Sequence, residues 1–150
     1  MEFAGKWQLV ESENFDDYMK EVGVGTITRL AASSLKPVLT VTVDGNKWTM
    51  HSASTFKNHA MAFDLGTECE LETADGRKMK STFELVDGKL VQHEKPISVS
   101  FIYIIARLIL LRFVQSKDKE SEITRWIEGD KMIMTLKSGS VTCKRVYEKQ

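Results

Sequence analysis

Residues 14–36 read NFDDYMKEVGVGTITRLAASSLK, and they break an otherwise strand-like chain of 150 residues. Asn14 is placed to cap a helix, and Asp16 and Asp17 suit the exposed amides and positive dipole end of a first turn. Phe15, Tyr18, Met19 and Val22 then fall on one helical face. Gly23-Val24-Gly25 interrupts that helix, TITRLAASSLK makes a second short one, and Pro37 stops it from continuing.

Around this stretch the period is two. KWQLVES, TVTVDG, NKWTMHSA, KSTFELVDGKLVQHE, SEITRWIE, DKMIMTL and SVTCKRVYEK set β-branched or large apolar residues at alternate positions. Between them lie Asp44-Gly45, Leu65–Thr67, Asp75-Gly76, Asp87-Gly88, Glu128–Lys131 and Lys137–Ser140. Asp and Gly tolerate the positive φ that tight turns require, so each reads as a hairpin. The expectation is an all-β chain of about ten antiparallel strands with one helix-turn-helix between the first strand and the second.

Composition narrows the function. Lys+Arg and Asp+Glu both number 21, so no global field draws in nucleic acid, and the aromatics are expected on inward faces. Cys69 and Cys143 form no zinc spacing and read as reduced thiols. His51, His59 and His93 are scattered, without the acidic or thiol neighbours of a metal site. No GxSxG, P-loop or GxGxxG occurs, so an enzyme has no constellation to rest on, and neither cofactor nor metal is expected. The N-terminus lacks a basic region followed by an apolar one, which argues against a signal peptide and for the cytoplasm.

One segment stands apart. PISVSFIYIIARLILLRFVQSK, Pro96–Lys117, holds an 18-residue apolar run from Ile97 to Val114. About 20 residues are needed to span a bilayer, and Arg107 near its middle costs roughly 2.5 to 3.5 kcal/mol on insertion. A conventional membrane helix is disfavoured. ISVSFIYII reads as strand and IARLILLRFVQ as helix, so a longer hairpin arm and a strand-to-helix excursion both stay open.

The words GKWQLVESENFDDYMKEVGVG, STFKN, TADGRKMKST and CKRVYEK make the chain resemble the cytosolic fatty-acid-binding proteins, in the heart, myelin and adipocyte branch. They are spread from residue 5 to 149 of the chain. The resemblance implies a single domain over 1–150: a ten-stranded antiparallel up-and-down β-barrel, or β-clam, around a water-filled cavity with a helix-turn-helix lid. It implies binding and transport of long-chain fatty acids, or similar hydrophobic carboxylates, by a cytoplasmic monomer. A retinoic-acid-type binder and a membrane-associated variant are the alternatives. Against relatives with a short turn there, residues 96–119 read as an insertion of about 20 residues between strands seven and eight. Topology places that hairpin at the lid end, and a translated intron is the competing origin.

In VTCKRVYEK, alternation sets Val141, Cys143, Arg145 and Tyr147 on one face. From the residues alone, Arg145 and Arg125 also suit exposed strand positions. The resemblance implies that Arg145 and Tyr147 point inward to the ligand carboxylate and that Arg125, two strands earlier, joins them. It implies a portal made by Phe15, Tyr18, Met19, Val24, Phe56, Asp75 and Arg77. Lys20, Arg29 and Lys36 suit either a basic patch for transient contact with anionic membranes or a solvated helix face. Leu30 stands where relatives commonly carry a second basic residue, which weakens that membrane signal.

Overall fold

The computed structural model describes residues 2–97 and 119–150. The expected conformations of the apolar run, and its position as an insertion, lie outside the described residues. The chain opens with β1 (Gly5–Glu13), passes through α1 (Phe15–Glu21) and α2 (Thr26–Ser33), and continues as β2 (Val38–Asp44), β3 (Lys47–Ala53), β4 (His59–Asp64) and β5 (Cys69–Glu72). β6 (Lys78–Val86), β7 (Lys89–Pro96), β8 (Ser121–Glu128), β9 (Lys131–Ser138) and β10 (Val141–Lys149) complete it. The sheet order is β4-β3-β2-β1-β10-β9-β8-β7-β6-β5, an antiparallel meander in which β1 pairs with β10. This is the ten-stranded, nearly closed barrel with two helices that the sequence predicts.

Closure is incomplete at one place. β4 and β5 end the sheet order without pairing, so Leu65–Thr67 is a turn but not the hairpin expected from sequence. The Gly66 N–H donates instead to the Phe83 carbonyl on β6 at 2.8 Å. Side chains bridge the rest of the gap. Phe63 of β4 stacks on Phe83 with centroids 3.5 Å apart, the His59 imidazole Nε2 meets the Glu72 carbonyl at 2.6 Å, and Lys57 Nζ donates to the Ala74 carbonyl at 2.9 Å. Phe3, Trp7, Trp48, Phe63 and Phe83 fill the end of the barrel away from the helices as one buried cluster, and Trp7 Nε1 donates to the Phe3 carbonyl at 2.9 Å. Paired aromatics of this kind contribute about 0.5–1.5 kcal/mol beyond their burial.

At the other end α1 plugs the barrel with Tyr18, Met19 and Val22. Asn14 does precede the helix, but not as a side-chain cap. Its backbone is left-handed (φ 59), and its amide Nδ2 donates to the Thr142 carbonyl at 3.3 Å. Asparagine is used here because it tolerates that backbone and can tie the lid to β10. Arg29 of α2 donates to Asp16 of α1 at 3.0 Å and to the Val24 carbonyl at 2.9 Å. A guanidinium held in this way adds little to a basic patch, which leaves Lys20 and Lys36 as the lid cations available to one. The flanks of the apolar segment meet the same lid: Lys119 Nζ lies 2.6 Å from Glu21, and the Tyr18 hydroxyl pairs with Ser121 at 3.0 Å.

Candidate functional site

Strand register, more than any single residue, builds the site. Arg145 of β10 and Arg125 of β8 both face Met134 of β9, one from each side. They therefore stand at the same level, two strand spacings or about 10 Å apart at the backbone, and their side chains enter one cavity. Tyr147, two residues along β10, shares Arg145's face and is also buried. The cavity measures about 260 Å³ and is walled mainly by apolar side chains, among them Met19, Val24, Leu39, Met50, Ile123 and Leu136.

Both guanidiniums are buried, Arg125 at 4% and Arg145 at 8% exposure. Each has a buried Nε with no hydrogen-bond partner among the described residues. Arg125 Nη1 donates to Gln92 Oε1 at 2.9 Å. Burial pulls the Arg125 pKa below its ordinary value, against support from Tyr147, Glu94 and Tyr18. Arg145 lies over the Phe15 ring at 4.0 Å, so the first residue of α1 rests on a cationic wall of the cavity. Two buried cations with spare donors in an apolar pocket have the chemistry to take up an anionic head with a greasy tail.

The residues expected at a portal all line this cavity: Phe15, Tyr18, Met19, Val24, Phe56, Asp75 and Arg77. They do not behave alike. Phe56 is 58% exposed at the rim, whereas Tyr18, Met19 and Val24 are buried. Burial raises the Tyr18 phenol to about 12, with the Ser121 hydrogen bond opposing. Asp75 and Arg77 form a two-pronged ion pair at 2.6 and 3.2 Å. Burial works against the charge on Asp75, but the bonds and charge of Arg77 prevail and hold its carboxyl below the usual range.

Two buried polar residues of the cavity wall were not singled out in the sequence: Gln92 and Glu94. Gln92 Nε2 donates to Glu94 at 2.7 Å, extending the chain of bonds from Arg125 toward the lid. A signal was present, since Leu90, Gln92 and Glu94 alternate on one face of β7 and Leu90 is fully buried. Polar residues continuing an inward apolar face mark a polar wall. One other residue differs from expectation. Trp126 points outward, its Nε1 donating to Glu128 at 2.6 Å under Lys89, which breaks the rule of inward aromatics. Among the described residues, no group of three or more His, Cys, Asp or Glu could hold a metal ion.

Residues 4–107 match the lipocalin / cytosolic fatty-acid binding protein family. Fatty acid-binding protein homolog 5 of Caenorhabditis elegans is 48% identical over 146 residues, covering 97% of this chain and 95% of that protein. This chain belongs to the lipocalin / cytosolic fatty-acid binding protein family. A second relative in that family, homolog 6 from the same nematode, is 47% identical over 149 residues, 99% of this chain and 98% of its own. Among solved structures, apo lipid binding protein 8 of C. elegans superposes with a TM-score of 0.84 at 34% identity, covering 99% of this chain and 96% of that one. A Schistosoma mansoni fatty acid binding protein in complex with arachidonic acid gives 0.81 at 36%, over 99% and 96%.

Proposed function

We propose that this protein binds long-chain fatty acids, or similar hydrophobic carboxylates, in its internal cavity and carries them through the cytoplasm. The observation that carries this reading is the pair of buried arginines flanking Met134, each with a spare Nε, beside Tyr147. Arg125 and Arg145 would hold the carboxylate, with Tyr147 as a further donor, each charge-assisted bond being worth roughly 1.5–3 kcal/mol. The tail drives binding: at about 0.8 kcal/mol per methylene, a sixteen-carbon chain supplies on the order of 10 kcal/mol before ordering costs. The arachidonic acid in the schistosome relative supports a long-chain acid.

Entry would pass between the lid and the turns carrying Phe56, Asp75 and Arg77, with Phe15, Tyr18, Met19 and Val24 forming the lid's inner face. The protein acts as a carrier rather than an enzyme, and as a monomer. Ile27 at 86% and Leu30 at 72% exposure, with Lys20 and Lys36 on the same helical lid, offer a surface for transient contact with anionic membranes during transfer. Titrating delipidated protein with a fluorescent long-chain fatty acid tests the core of the reading. Saturable one-to-one binding, displaced by unlabelled acid better than by the alcohol of equal length, is expected. Absence of saturable binding, or equal displacement by acid and alcohol, overturns it.

A further inference from the structure

The wall of the cavity holds a negative charge that a receptor for anions does not need. Glu94 on β7 is 8% exposed. It accepts from Gln92 Nε2 at 2.7 Å, and Gln92 Oε1 accepts from Arg125 at 2.9 Å. Carboxylate and guanidinium are thus joined through one amide and lie within about 8 Å of each other. The groups around Glu94 come from several elements: Arg77 and Asp75 from the β5–β6 turn, Tyr18 from α1, and Arg125 from β8. Its register partners are the uncharged Ser81 on β6 and Ser121 on β8. Asp75 and Arg77 are closed on one another. The remaining buried charges among the described lining residues are two arginines and Glu94. Two positive charges less one negative leave a demand for a single anion.

We infer that Glu94 determines the charge specificity of the cavity, acting as a built-in counter-ion to the arginine pair so that lipids with one negative charge are accepted and those with two are rejected. This rests on reading the cavity as a site for acidic lipids. Glutamine at this position would make the same bond to Gln92 without the charge, so the geometry alone does not call for a carboxylate. A ligand anion bonded to Arg125 sits roughly 8 to 11 Å from Glu94, and at the effective dielectric of a protein site that repulsion weakens binding roughly ten- to thirtyfold. The repulsion also ties binding to a proton. Burial already pushes the Glu94 carboxyl up, against Arg77 and Arg125, and a bound anion pushes it further. Affinity for an anion of fixed charge therefore falls as pH rises from the free-cavity value to the higher ligand-bound one, and then levels.

The test uses a long-chain alkylsulfonate, whose head does not titrate, and the alkyl phosphate of equal length, which approaches two charges well above its second pKa of about 6. Calorimetry in buffers of different ionisation enthalpy, across about pH 5 to 8, reads both affinity and proton uptake. The wild type is expected to prefer the sulfonate and to take up protons on binding it. Glu94→Gln should raise sulfonate affinity roughly ten- to thirtyfold at about pH 8, abolish the proton uptake and narrow the gap to the phosphate. Binding of the matching alcohol should stay within about twofold, which excludes a general reshaping of the pocket. Sulfonate affinity unchanged by Glu94→Gln, or proton uptake that persists in the variant, overturns the inference while leaving the acid site standing. A wild type that binds the alcohol but neither anion overturns both.

Discussion

Arg145→Gln should move binding and stability in opposite directions. The Arg145 guanidinium is 8% exposed, and its buried Nε has no partner among the described residues. Its favourable contacts among the described residues are the Phe15 face at 4.0 Å and, more distantly, the Tyr147 ring at 6.0 Å. Such a contact is worth about 0.5–2 kcal/mol, whereas burying a surplus cation, with Glu94 linked to Arg125 instead, costs several kcal/mol. Replacing it with neutral glutamine should therefore stabilise the ligand-free protein by about 1 kcal/mol, a rise in Tm of roughly 2–4 °C for a chain of this size. The same change removes a charge-assisted bond to the ligand carboxylate, worth about 1.5–3 kcal/mol, or roughly a 10- to 150-fold loss of affinity. Thermal melts of delipidated protein and displacement of a fluorescent fatty acid read the two effects separately. The alcohol of equal length should lose less than about threefold. Affinity for the acid unchanged within twofold refutes the ligand role of Arg145. A melting point several degrees lower refutes the idea that its charge is held for the ligand, and would make it a structural group.

Three further outcomes follow from the geometry. Phe83→Ala removes a fully buried ring stacked at 3.5 Å on Phe63 across the β4–β5 gap, and should cost about 3–5 kcal/mol in urea unfolding; a loss under 1 kcal/mol would show that the stack does not close the barrel. Gly139 has φ 56, and a Cβ there would lie 2.7 Å from Glu21 Oε1, so Gly139→Ala should cost about 1–2 kcal/mol from the backbone alone. Glu21→Ala added to it should recover only the clash, and full recovery in thermal melts would contradict the backbone share. Asp75 is held below its ordinary pKa when folded, so its contribution to stability is complete above the unfolded carboxyl value near 3.9 and is lost as pH falls through the lower folded one. The stability difference between wild type and Asp75→Asn should shrink over that acid range, and a difference that does not change with pH would remove the ion pair from the account.

The parts legible in the sequence were those carried by local rules. Period-two runs between turn residues named eight of the ten strands, all but β4 and β5, and Asn14–Lys36 named the helices, because backbone preferences act within a few residues. Inward alternation on β10 placed Arg145 and Tyr147 on one face for the same reason. Where a choice depends on a distant partner, local rules failed. Leu65–Thr67 carries turn chemistry, yet whether the flanking strands pair is decided by Phe63 finding Phe83 rather than β5. Asn14 has the composition of a cap, yet its amide turns to Thr142, 128 residues away. Arg29 looks like a free lid cation, yet Asp16 on the neighbouring helix holds it.

The sequence by itself determined the all-β class, the order of the elements and the chemical groups available, since alternation and turn chemistry are properties of short stretches. Only the tertiary structure decided which of those groups meet. Arg125 and Arg145 are 20 positions apart in the chain and stand level because both register on Met134. Gln92 and Glu94 join them because the barrel curves β7 around the same cavity. Charge balance inside a low-dielectric pocket is a sum over groups brought together by folding, so one negative charge among two positive ones becomes visible only when the strands are in register.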